Sequence, residues 1–172
     1  VDSDFRAVLH RAALCVPDGV GILWAGRRHS VRLRERVAGS DLVPGLATQA
    51  ARYGWRVFFL GAAPGVAEKT AALLQQRNPG LLVAGSYAGS PVVEEEDEIV
   101  ARIRASRADI VFVAYGAPKQ NIWLDRNLAR AGATVGIGVG GAFDFITGKA
   151  RRAPLWIRRI GLEWLHRLVY EP

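Results

Sequence analysis

Two acidic side chains of this sequence lie in glycine-containing turns that a substrate could approach. Asp18 follows a short apolar run and precedes Gly19, and Asp144 stands between Phe143 and Phe145. A carboxylate in such a turn can take a proton from an attacking hydroxyl group, so Asp18 is a candidate general base. Asp144 is a candidate hydrogen-bond acceptor for a ribose or a base. The alternatives are a turn-forming aspartate at position 18 and a tight turn packed on the core at position 144.

Three glycine-rich or polar turns could hold an anionic ligand. Gly61 begins the turn 61–65, whose backbone N–H groups can face an anion at the start of a helix. The turn lacks both the dinucleotide fingerprint and the P-loop lysine, but it is compatible with the edge of a nucleotide-sugar pocket. Lys119 and Gln120 begin another helix. A cation at this position opposes the helix dipole, which suggests a functional role. The alternative is a solvated lysine and a cap. Four glycines within 136–141 weaken a strand and suggest backbone access for a ligand.

The charge of the chain restricts its partners. The formal net charge is +7, and arginine, whose planar fork suits phosphate and diphosphate, exceeds lysine. Four explanations of this positive charge remain open: a solvated face, an anionic membrane surface, a diphosphate ligand and nucleic acid. The arginines concentrate in two segments: Arg27, Arg28, Arg32, Arg34 and Arg36, then Arg151, Arg152, Arg158, Arg159 and Arg167.

The cysteine content indicates a reducing compartment, and the hydropathy indicates no membrane span. Cys15 is the sole cysteine and is flanked by apolar residues, so a buried thiol and no intrachain disulfide are expected. No apolar run reaches the roughly 18 residues of a membrane span, and no signal peptide is visible. These features predict a soluble cytoplasmic protein.

The hydrophobic pattern predicts an α/β fold that brings these turns to one edge. Alternating strands and helices favour a Rossmann-like, mostly parallel sheet with helices on both faces, in a single domain over residues 1–172. Ligands of such sheets bind beyond the carboxyl ends of the strands. The expected strands are 14–17, 55–60, 81–85, 109–115 and 134–139. The expected helices are 2–13, 20–28, one capped by Ser40 or Asp41 that runs through Ala51 and is closed by Gly54, 66–77, 93–106, one starting at Pro118, and 154–169.

Six segments in order resemble the WecG/TagA/CpsF family of bacterial glycosyltransferases. They run from about residue 14 to the last residue. The segments are CVPDGVGILWA, RVAGSDLVPGL, VFFLGAAPGVAEKTAALL, DIVFVAYGAPKQNIW, GVGGAFDFITGKARRAPLW and GLEWLHRLVYEP.

The resemblance implies transfer of N-acetylmannosamine, or its uronic acid, from a UDP sugar to N-acetylglucosamine on undecaprenyl diphosphate, with inversion. The products would feed wall teichoic acid, common antigen or capsule. In this resemblance Asp18 matches the proposed base, Gln120 a substrate-pocket residue with Lys119 beside it, and Asp144 a nucleotide-pocket carboxylate. Arg36 matches a position that contacts the donor or the acceptor, and Arg167 matches one of several arginines near the C-terminus that help to bind the diphosphate.

The resemblance also implies partners. A peripheral position at the inner face of the cell membrane and self-association are expected, without a cofactor, a metal or nucleic acid. The family motif Pro-Lys-Gln-Glu becomes Pro118-Lys119-Gln120-Asn121 here, so one carboxylate is lost. Family members usually carry further residues before Val1 and a basic tail after Pro172, so we expect both in the complete protein.

Two other classes of protein fit parts of the pattern. An NAD(P)- or flavin-dependent Rossmann oxidoreductase fits the alternation, but the chain lacks its glycine fingerprint and the acidic residue that follows it. A nucleic-acid-binding module fits the charge, but the chain has no recognised binding motif and few aromatic residues among its basic clusters.

Overall fold

A computed structural model describes residues 3–150 of the 172-residue chain. The helices are α1 (Ser3–Arg11), α2 (Val20–Arg28), α3 (Gly39–Tyr53), α4 (Val66–Arg77), α5 (Val93–Ser106), α6 (Lys119–Ala131) and α7 (Ala142–Ile146). The strands are β1 (Arg56–Gly61), β2 (Leu82–Tyr87), β3 (Ile110–Ala114) and β4 (Val135–Gly138).

The four strands form one parallel sheet in the order β2-β1-β3-β4. From β1 the chain crosses to β2 on one side, and it then returns to β3 on the other side of β1. The strand order therefore reverses between β1 and β3, and a ligand crevice is expected at their carboxyl ends. This topology confirms the α/β, Rossmann-like prediction.

Alternation along the two central strands divides the core between the faces of the sheet. Phe59 and Phe112 pack with 5.7 Å between ring centroids on the face covered by α3, α4 and α7. Leu60 and Val113 face the other side, where α5 and α6 cover the sheet. Both central strands are buried almost throughout, because apolar side chains on both faces gain free energy on leaving water.

The amino-terminal edge of the sheet is held by one aspartate. Asp109 accepts two side-chain hydrogen bonds from Arg56, at 2.9 and 3.1 Å, and a backbone hydrogen bond from the same residue at 2.7 Å. Its carbonyl oxygen accepts from the N–H groups of Thr134 and Val135. Asp109 thus joins the starts of β1, β3 and β4 at the amino-terminal edge of the sheet.

Folding stability is expected to decrease in acid because of two ion pairs, Arg56 with Asp109 and Arg11 with Asp125. Hydrogen bonds from Arg56 hold the pKa of Asp109 below its ordinary value, and hydrogen bonds from Arg11 do the same for Asp125. The stabilisation is complete above the unfolded-state pKa of about 3.8 and is lost as pH falls through the lower pKa of the folded state.

Urea unfolding at pH 7 and about pH 3 would measure this loss. The fall in the free energy of unfolding should be smaller in Asp109→Asn than in the wild type. Glu35→Gln, a change in an exposed loop, should show the wild-type fall. An equal fall in all three proteins would contradict the role of the pair.

The structure corrects two predictions in the segment before α2. Residues 12–18 form no strand, and Leu14 is 79% exposed. An apolar run becomes a strand only where a neighbouring strand can pair with it, and this run has none among the described residues. Cys15 is exposed, so the prediction of a buried thiol is wrong.

The other boundaries differ little from expectation. Helices α4 and α5 have their predicted bounds, and Gly54 ends α3 with a φ of 70°. Ala38, rather than Ser40 or Asp41, caps α3. Helix α6 begins one residue after Pro118, and the strands shift by one or two residues. The predicted helix 154–169 lies outside the described residues.

Candidate functional site

Gly61 brings the ends of the two central strands into close contact. Its φ is +101°, and a Cβ atom there would lie 2.9 Å from the carbonyl carbon of Ala114 in β3. Any other residue would be strained in backbone and in space. The N–H group of Ala62 donates to the Ala114 carbonyl oxygen at 3.1 Å, so the turns after β1 and β3 begin side by side.

The turn after β1 presents backbone donors to the crevice. Helix α4 follows it directly, with Gly65 as its N-cap at a φ of 80°. Within residues 3–150, the N–H groups of Ala63 and Gly65 donate to no backbone carbonyl. Amides at a helix start are suited to an anion, and a ligand contact at this turn stays a prediction.

Gln120 connects the turns that follow β3 and β4. Its Oε1 accepts from the N–H of Gly116 at 3.2 Å and from the N–H of Gly140 at 2.9 Å. The residue is only 6% exposed. The side-chain carbonyl therefore fixes two glycine turns to each other, and its role toward a substrate stays a prediction.

The glycines of β4 serve packing rather than ligand access. A Cβ atom on Gly136 would meet Leu124 at 2.5 Å, and one on Gly138 would meet the Gln120 amide nitrogen at 2.7 Å. Side chains of α6 fill both spaces, so the prediction of backbone access is wrong at these two positions. Gly140 and Gly141, in contrast, have nothing within 4 Å of the Cβ position.

Asp144 follows these open glycines in the short helix α7. The neighbouring Phe143 anchors α7 on the core, since its ring lies 5.7 Å from that of Phe59. The Asp144 side chain is 32% exposed, and its Oδ1 lies 3.9 Å from the Lys149 ammonium. A partly exposed carboxylate on a fixed turn can still accept hydrogen bonds from a ligand.

Two contacts bring the Asp18 turn toward the same edge. The carbonyl oxygen of Pro17 accepts from the N–H of Val37 at 2.9 Å. Two residues later, a Cβ atom on Gly39 would lie 2.8 Å from the carbonyl oxygen of Val139, just after β4. Asp18 itself is exposed, and its role as a base stays a prediction.

The two basic residues predicted for the site differ in exposure. Arg36 is half-buried and interacts with other groups of the protein, and it precedes the start of α3 by three residues. Lys119 is exposed, and the first turn of α6 contains no acidic residue. The charge of Lys119 opposes the dipole of α6, and it can face an anion in the crevice between β1 and β3. Arg167 lies outside the described residues.

Sequence reasoning missed Tyr115, which directly follows β3. Its hydroxyl group is buried without a hydrogen-bond partner among the described residues. It lies 2.9 Å from the Cβ position of Gly89, in the turn after β2. Burial raises the pKa of Tyr115 above its ordinary value, and the nearby Glu95 adds to this. A tyrosine in an apolar strand gives no sequence pattern that separates it from the core.

The described part of the chain contains neither a cluster of metal ligands nor a helix that could cross a bilayer. Between residues 3 and 150, no group of three or more His, Cys, Asp or Glu side chains could hold a metal ion. In the same residues, no helix has the length and apolar content that a bilayer crossing requires.

A doubly wound parallel sheet with glycine turns at its switch point is the architecture of nucleotide-binding α/β proteins. A model of the Glycosyl transferase WecG/TagA/CpsF family matches residues 1–172. The chain therefore belongs to this family, as the sequence motifs predicted.

Two relatives carry the name N-acetylglucosaminyldiphosphoundecaprenol N-acetyl-beta-D-mannosaminyltransferase. The protein from Bacillus spizizenii (strain ATCC 23059 / NRRL B-14472 / W23) is 36% identical over 168 residues, covering 98% of this chain and 65% of the relative. The protein from Bacillus subtilis (strain 168) is 32% identical over 171 residues, covering 99% of this chain and 66% of the relative. The chain thus spans slightly less than two thirds of each relative. Nothing in these names supports the oxidoreductase alternative.

Proposed function

We propose that this chain is the core of an inverting glycosyltransferase acting in surface-polysaccharide synthesis. It would transfer N-acetylmannosamine, or its uronic acid, from the UDP sugar to N-acetylglucosamine on undecaprenyl diphosphate. The observation that carries the proposal is the match of nearly the whole chain to two relatives named for this acceptor and this sugar. The polar turns at the carboxyl edge of the sheet agree with it.

The proposed reaction needs one base and one displacement. Asp18 takes the proton of the acceptor hydroxyl group while that oxygen attacks the anomeric carbon of the donor. The bond from this carbon to the diphosphate oxygen breaks, so UDP leaves with the bonding electron pair and the anomeric configuration is inverted. Lys119 and the amides of Ala63 and Gly65 offset the charge that develops on the diphosphate.

The acceptor also sets where the enzyme works. A polyprenyl diphosphate stays in the bilayer, so we propose that the chain acts as a peripheral protein at the cytoplasmic membrane surface. We place Asp144 at the nucleotide, where its carboxylate can accept from ribose hydroxyls. By analogy with the family, we also propose that copies of this chain associate with one another.

Calorimetric titration of UDP, UDP-N-acetylmannosamine and NAD tests the donor pocket. We expect UDP to bind the wild type and to bind Asp144→Ala about tenfold more weakly, because hydrogen bonds to a charged group contribute about 1.5 kcal/mol or more. Asp4→Ala, which removes an exposed aspartate on α1, should bind like the wild type. NAD binding without UDP binding would overturn the proposal in favour of an oxidoreductase.

A further inference from the structure

The hydroxyl group of Tyr115 is buried at the carboxyl end of β3 without a hydrogen-bond partner among the described residues. A buried polar group without a partner destabilises the arrangement that buries it, because water would otherwise solvate the group. The Tyr115 ring itself is packed edge-on against the ring of Trp123, with 6.3 Å between the centroids. The hydroxyl group can therefore gain a partner most easily if the segment that covers it moves.

The β2–α5 turn, residues 88–91, covers this hydroxyl group. A Cβ atom on Gly89 would lie 2.9 Å from the Tyr115 hydroxyl oxygen. It would also lie 3.0 Å from side-chain atoms of Tyr87 and Ile99. The φ of Gly89 is +52°, a left-handed backbone that glycine adopts without strain. The turn can pack on Tyr115 because residue 89 has no side chain.

The β2–α5 turn crosses the end of β1 to reach Tyr115. Strand β1 lies between β2 and β3. Tyr87, the last residue of β2, is in register with Leu60, and Leu60 is in register with Val113. Neighbouring strands are about 4.8 Å apart, so the turn extends over roughly 10 Å of the carboxyl edge. It therefore borders the crevice between β1 and β3 on the side of α5.

Few hydrogen bonds hold the β2–α5 turn in this position. The N–H of Ser90 donates to the Glu95 carboxylate in the first turn of α5 at 3.0 Å. The N–H groups of Ala88 and Gly89 donate to no backbone carbonyl within residues 3–150. A segment with so few backbone hydrogen bonds opens at a small cost in free energy.

We propose that the β2–α5 turn is a lid on the crevice, and that it opens readily because its closed position leaves the Tyr115 hydroxyl group unpaired. When the turn lifts, water reaches the hydroxyl group and the α5 side of the crevice becomes accessible to a ligand. When the turn closes, Gly89 packs on Tyr115 again and Ser90 donates to Glu95. The opening itself does not depend on the proposed function, whereas its effect on UDP binding does.

Hydrogen exchange of the Ser90 amide in the 172-residue chain measures the opening. Tyr115→Phe keeps the ring and removes the hydroxyl group, so the closed turn no longer buries an unpaired group. Exchange at Ser90 should become about tenfold slower, which is within the cost of an unmade hydrogen bond. Tyr53→Phe makes the same change on a side chain that is 58% exposed and should exchange like the wild type. Unchanged or faster exchange at Ser90 in Tyr115→Phe would overturn the proposal.

Stopped-flow kinetics of UDP binding show whether the opening admits a ligand. Tyr115→Phe should lower the association and dissociation rate constants by the same factor, about tenfold, because the turn opens less often. The Kd should stay unchanged, since removal of the hydroxyl group stabilises the closed turn equally in the free and the bound protein. A higher Kd with an unchanged association rate constant would place the hydroxyl group in contact with UDP and refute the lid.

A variant at Glu95 should have the opposite effect on the rates. Glu95→Ala removes the acceptor of the Ser90 N–H, so the turn should open more often and both rate constants should rise. Glu94→Ala also removes an acidic side chain from the first turn of α5, and it should bind UDP at the wild-type rates. Equal rates in the two variants would contradict the role of the Ser90–Glu95 hydrogen bond in closing the lid.

The two measurements also separate the lid from the proposed function. Slower Ser90 exchange in Tyr115→Phe, in a protein that does not bind UDP, would support the lid and contradict the glycosyltransferase proposal. UDP binding together with equal Ser90 exchange in the wild type and Tyr115→Phe would support the proposed function and overturn the lid.

Discussion

Asp18→Asn is expected to lower turnover of the lipid-linked acceptor by about 10²- to 10⁴-fold, the range typical of a general base. Asparagine has nearly the same shape but cannot take the proton of the acceptor hydroxyl. Affinity for UDP should stay the same, because Asp18 lies in the turn before α2 rather than in the turns after β1 and β3. Steady-state kinetics with UDP-N-acetylmannosamine, beside UDP calorimetry on the same protein, measure both effects.

A matched control is available on α1. Asp4→Asn makes the same chemical change on an exposed helix and should keep wild-type turnover. A loss of less than about fivefold in Asp18→Asn would assign the base to another group. Equal losses of turnover and UDP affinity would instead place Asp18 at the donor.

The α/β architecture could be predicted because the two central strands are apolar on both faces. Phe59 and Leu60 point to opposite sides of β1, so the sequence shows a continuous apolar run that begins after Arg56 and ends at the glycine turn 61–65. Such runs alternate with amphipathic helices along the chain, and only a parallel sheet covered on both faces accommodates that pattern. Asp144 is found for the same reason, because it follows the apolar run at 134–139. Asp18 is found through the run at 14–17, which forms no strand in the structure.

Contacts between distant segments could not be predicted from composition or spacing. The run at 14–17 has the apolar composition of a strand, but whether a strand lies beside it depends on the rest of the fold. Gly138 looked like an opening for a ligand, whereas the structure fills the space with Gln120 from α6. Periodicity describes one element at a time, and these features depend on which elements meet.

Gln120→Leu is expected to weaken both the fold and the donor pocket. Leucine fills most of the space beside Gly138 but lacks the oxygen that accepts from Gly116 and Gly140. Leaving such N–H groups without a partner costs about 1–3 kcal/mol each where they are buried. We expect a lower free energy of unfolding and about tenfold weaker UDP binding, since the two turns would no longer be fixed to each other. Gln76→Leu, on the exposed face of α4, is the control.

Gln120→Glu separates a positioning role from direct substrate contact. A carboxylate still accepts from both backbone N–H groups, and such charge-assisted hydrogen bonds are stronger. If Gln120 acts by joining the two turns, hydrogen exchange at the Gly116 and Gly140 amides should stay slow in Gln120→Glu and become fast in Gln120→Leu. Slow exchange in both variants would contradict the positioning role. Lost UDP binding in Gln120→Glu with amide protection retained would instead indicate a separate role of the Gln120 amide toward the ligand.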